Sequence, residues 1–202
     1  MTSSRKDIDL RKHREPDLVA ALFHPTEDLR QAAFREICAR GEKRGWEAFS
    51  FLTQDPELAG RFASIKDPFD AVGIAVAPET YDRIHAVWPS GVEHLGEGGR
   101  RELTIDFRNQ RLDVMTIAAG AWPPGEKYPA GQEGFCEVEF RVRDVAAFAR
   151  RVEELPPELK SRLVLLPADP VTAQSPGAGR WLLVHARAAR GARTVLVQLV
   201  PA

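Results

Sequence analysis

The stretch CEVEFRVR, positions 136–143, sets Glu137, Glu139, Arg141 and Arg143 at every second residue, with Cys136, Val138, Phe140 and Val142 between them. At strand periodicity these residues separate into two faces, one apolar and one bearing two carboxylates and two guanidinium groups. Such a face offers ionic contacts to a small molecule or a partner protein. His185, in WLLVHAR, shares a face with Trp181, Leu183 and Arg187, which suits a hydrogen-bonded strand histidine or a general base. The histidines at 13, 24, 85, 94 and 185 show no metal-ligand spacing, and no Ser–His–Asp or Cys–His arrangement can be assembled from local motifs. GEGGR (96–100) and SPGAGR (175–180) lack the strand-to-helix setting of a phosphate loop and read as hairpin turns. Trp122 and Tyr128 lie on the proline-stiffened connector AWPPGEKYP, placed either to clamp a ligand or simply to cross between two halves.

The rest of the composition narrows the field. The 202 residues are 44% hydrophobic and 28% charged, with 28 basic against 29 acidic side chains, as in an ordinary globular chain. The basic residues are scattered, which argues against nucleic acid as a partner. The charged start MTSSRKDIDLRKHREPD is unlike a secretory signal, and no apolar run reaches the roughly 20 residues of a membrane span, so the expectation is a cytoplasmic protein. Cys38 and Cys136 are far apart and in segments of different character, which predicts reduced, buried thiols.

Two kinds of periodicity divide the chain. Residues 1–66 read as a small all-helical segment: a helix in PDLVAALF (16–23), a second from Pro25 to a closing Gly41, a third around Trp46, Phe49 and Leu52, and a fourth capped by Asp55 with Pro56 in its first turn. From residue 69 to 202 the pattern alternates instead. The expected elements are strands 69–76, 92–95, 102–108, 111–117, 135–142, 161–166, 180–187 and 194–200, with helices at 78–88 and 144–154. That order is βαβββ twice, in modules 69–117 and 135–200, and FDAVGIAV with its following helix lies on FCEVEFRV with its own. The fold class is therefore α+β, paired βαβββ modules preceded by a helical segment. In the first strand one face carries Ala71, Gly73 and Ala75, and the expectation is that these small residues leave room on the side facing a ligand.

DAVGIAV and CEVEFRVRDVAAFARRV resemble the opening strands of the two modules of the vicinal oxygen chelate superfamily, which includes glyoxalases, isomerases, extradiol dioxygenases and bleomycin-resistance-like binding proteins. The resemblance covers about 69–200. It implies a cavity walled by the concave faces of both modules, often a dimer, and a metal held by one donor from each of four strands. Those positions fall on Ala71, Asp113, Glu137 and Gln198. Ala71 has no donor atom, so the implied site is degenerate, and the three remaining oxygen ligands suit magnesium or manganese better than zinc. Gly73, Glu139, Arg141 and His185 complete the candidate cavity wall. Two functions stay open: a non-catalytic small-molecule-binding or protein-interaction role, and a metal-dependent isomerase, lyase or dioxygenase. A second, shorter resemblance, of residues 17–41 to a HEAT-type helix pair, implies a docking element.

Overall fold

The structure is a computed structural model and describes residues 8–95, 101–116, 133–157, 163–166, 181–184 and 195–201. The helical segment forms α1 (Glu15–Ala21), α2 (Glu27–Thr53) and α3 (Pro56–Ala63). There follow β1 (Phe69–Val76), α4 (Pro78–Val87), β2 (Val92–Leu95), β3 (Arg101–Phe107) and β4 (Gln110–Thr116). The second series is β5 (Gly134–Val142), α5 (Val145–Glu153), β6 (Leu163–Leu166), β7 (Trp181–Val184) and β8 (Val195–Pro201). The class is mixed α+β, and the order from β1 onward is βαβββ twice, as the periodicity predicts.

Local chemistry sets the helix starts. The Asp55 carboxylate accepts from the backbone N–H groups of Glu57 and Leu58, and Pro56 fills the first helical position, where no N–H is needed. Asp144 caps α5 through the Ala147 N–H. At α4 the N-cap is Ala77, which has no side-chain acceptor; its own N–H instead donates to the Glu133 carboxylate at 2.9 Å.

One expectation fails in this segment. Gly41 does not close a helix; α2 runs unbroken for 27 residues through Gly41 and Gly45, absorbing the third helix expected around Trp46. A glycine inside a helix costs only about 1 kcal/mol against alanine, and Gly45 is used for close approach. A Cβ at Gly45 would stand 2.9 Å from both Cγ atoms of Val138. The short α1 does meet α2 across the His24-Pro25 turn, but α2 runs on past Gly41, and nothing further supports the HEAT-type resemblance.

The chain forms two compact units, and both draw on the helical segment. Unit 1 comprises Met1–Arg40 and Ile74–Phe135. Its strands run β2-β3-β4 antiparallel, with β4 beside β1. Leu18, Leu22, Phe34, Leu103, Ile105 and Leu112 are fully buried. The Phe34 ring lies 5.5 Å from Trp88 and 5.6 Å from Phe107, and the Trp88 indole N–H donates to the Leu22 carbonyl at 2.8 Å. The Arg40 guanidinium donates to the carbonyls of Leu10, Arg11 and His13, binding the stretch before α1 to α2.

Unit 2 comprises Gly41–Gly73 and Cys136–Ala202. Here β5 pairs in parallel with β8, β8 and β6 each pair antiparallel with β7, and β1 lies beside β5. The core is aromatic: Trp46 lies 4.9 Å from Phe140, Phe62 is 5.9 Å from Phe140 and 5.6 Å from Phe148, all edge to face. Arg151 of α5 reaches the N-terminal turn of α3, pairing with Asp55 at 3.0 Å and Glu57 at 3.4 Å.

These contacts give the helical segment an integral role. Limited proteolysis under native conditions is expected to yield no accumulating fragment that begins near Asp67, because removing α1–α3 strips Phe34, Trp46 and Phe62 from their partners. Rapid release of 1–66, leaving a fragment with unchanged thermal stability, would refute this.

Candidate functional site

The charged face of β5 is the feature around which a site can be built. Three contacts fix its register against β1 within unit 2. The Arg141 N–H donates to the Pro68 carbonyl at 2.6 Å, the Arg141 guanidinium holds the Asp70 carboxylate, and the Phe69 ring lies 6.0 Å from Phe140. By strand alternation Asp70 therefore shares the face of Glu137, Glu139 and Arg141. Phe69, Ala71 and Gly73 share the opposite face with Val138 and Phe140, which α2 covers at Gly45 and Trp46.

This corrects the expected placement of Ala71 and Gly73. Their small side chains leave room for helices and do not line the charged face. The register slip has a traceable source. Matching the halves on the aromatics Phe69 and Phe135 pairs Ala71 with Glu137. The helices, however, start at Pro78 and Val145, with one residue between β1 and α4 and two between β5 and α5. Counted from the helix starts, Asp70 corresponds to Glu137 and Ala71 to Val138.

On the charged face Glu137 is 2% exposed and Glu139 is half-buried, and each offers a carboxylate oxygen within 4.8 Å of the other's. Asp70 is nearly buried, whereas Arg141 keeps 45% of its side chain exposed. The pair is therefore partly screened and contributes modestly, on the order of 1 kcal/mol or less. Its larger effect is orientational, since it turns the Arg141 guanidinium toward Asp70 beside the two glutamates.

The other candidates lie as follows. Asp113, on β4 of unit 1, is 4% exposed and accepts from the Thr104 hydroxyl at 2.7 Å, its register partner on β3. Gln198 is the register partner of Glu139 on β8; its side chain, like His185 and the connector with Trp122 and Tyr128, lies outside the described residues. So do the GEGGR and SPGAGR turns. Cys38 and Cys136 are both buried.

A cluster in unit 1 escaped the sequence reading. The Tyr81 hydroxyl donates to Glu93 at 2.9 Å, and Arg101 donates to Glu93 at 2.8 Å and to Asp82 at 2.6 Å while its guanidinium carbon stands 4.3 Å from the Tyr81 ring centre. Burial and the bond to Glu93 push the Tyr81 hydroxyl up, and the bonds from Arg101 and Tyr81 hold Glu93 below the ordinary glutamate value. These groups stand on α4, β2 and β3, too far apart in sequence for a local motif. They fasten the short, exposed β2 to α4. Because the folded-state pKa of Glu93 is depressed, its stabilising effect is present above the ordinary glutamate range and is lost as pH falls through the lowered value. Acid melts should therefore show a steeper loss of stability for the natural chain than for Glu93→Gln, which keeps the acceptor oxygen without the charge. Parallel curves would rule out the linkage.

No protein-family model matches the sequence, and no curated protein matches it. Solved structures do match. Methylmalonyl-CoA epimerase from Mycobacterium tuberculosis is 23% identical, over 71% of this chain and 95% of its own, with a TM-score of 0.42. The epimerase of Streptomyces coelicolor, in complex with 2-nitronate-propionyl-CoA, is 18% identical over 67% of this chain and 97% of its own, with a TM-score of 0.42. A structural-genomics protein designated EC4020 is 15% identical over 83% and 87%, with a TM-score of 0.43. Among the described residues no helix is long and apolar enough to cross a membrane.

Proposed function

We propose that the protein is a non-catalytic binding protein whose charged β5 face takes a cationic ligand, and that it works in the cytoplasm with its cysteines reduced. The four-donor metal set implied by the resemblance does not fit these residues, because Ala71 has no donor and lies on the helix-covered face. The observation that carries the binding reading is the approach of the Glu137 and Glu139 carboxylates to within 4.8 Å, with Glu137 buried. A positive charge brought to two carboxylates at that separation is attracted by both, and more strongly where one of them is buried. An all-oxygen pair favours a hard divalent ion, held weakly, or the ammonium group of a small molecule.

Calorimetry on the desalted full chain separates the sources. Titrations with magnesium, calcium, manganese and zinc form one arm, and titration with a small diamine the other. Weak binding, at about millimolar Kd, of magnesium or calcium or of the diamine is expected, weakened at least tenfold in Glu137→Gln. Heats identical in the natural chain and Glu137→Gln would sink the reading. Tight one-to-one binding of manganese or zinc that Glu137→Gln abolishes would instead favour the metal-dependent isomerase, lyase or dioxygenase.

A further inference from the structure

We draw no further inference here: the strongest candidate, the exposed edge strand β2 with Val92 and Leu95 open to solvent, carries nothing, because a centred two-fold pairing with a second copy would oppose Glu93 to itself or to Leu95 and nothing in the structure shows what else covers it.

Discussion

Replacing Phe140 by alanine is expected to lower the unfolding free energy by about 3–5 kcal/mol, the range for truncating a fully buried phenylalanine. The ring has no exposed surface, and Trp46, Phe62 and Phe69 all meet it with centroids 4.9–6.0 Å away. The hole would open between α2, α3, β1 and β5, whose backbones are fixed by other contacts and cannot close it fully. Its neighbour provides the control. Glu139 points to the other face and is half-buried, so Glu139→Ala should change stability by less than about 1 kcal/mol. Urea melts of both variants, compared at equal m-values, make the test. A larger loss for Glu139→Ala would mean that the face assignment of β5 is inverted.

Ala71→His should destabilise by roughly 2–6 kcal/mol and should not improve the affinity for any metal. Ala71 is completely buried on the face that α2 covers. An imidazole there overpacks the layer, at about 1–3 kcal/mol. It also carries its polar nitrogens away from water, at about 1–3 kcal/mol more. Had Ala71 faced the carboxylates, the same substitution would have added a donor and tightened an ion. Thermal melts with and without zinc distinguish the two: a variant as stable as the natural chain that gains a zinc-dependent rise in Tm would overturn the register derived from Asp70 and Phe69.

Much of the fold was legible because its signals are local. Strand alternation, the Asp55-Pro56 start and the Asp144 cap each act within a few residues, and they locate β1 through α5 to within a residue or two of the structure. What failed was nonlocal. Gly41 resembles a helix stop in isolation, and only the packing of α2 shows that the helix gains more by continuing. Gly45 carries the same lesson, since its missing Cβ answers to Val138, far along the chain. The face of Ala71 depended on one inserted residue between β5 and α5, which periodicity within either strand cannot reveal. Glu137 and Glu139 were recognisable from their alternation with Val138 and Phe140. Asp70 was not, because its role rests on the contact with Arg141 of β5.

The parallel pairing of β5 with β8 bears on how the chain matures during synthesis. Each unit is assembled from two separated stretches of sequence, and β1 and β5 both divide between the units. Unit 1 has all of its residues once Phe135 has been made, so its helices, the last residues of β1 and β2–β4 can consolidate early. The other unit must wait. Its helices and the first residues of β1 emerge early, but β5 meets its parallel partner only when β8 has been translated, and such long-range pairings form slowly because a large loop must close first. During that interval the aromatic cluster around Trp46 and Phe62 lacks first Phe140 and then the strand beside it. Unit 2 is thus where chaperone capture and aggregation of incomplete chains would concentrate.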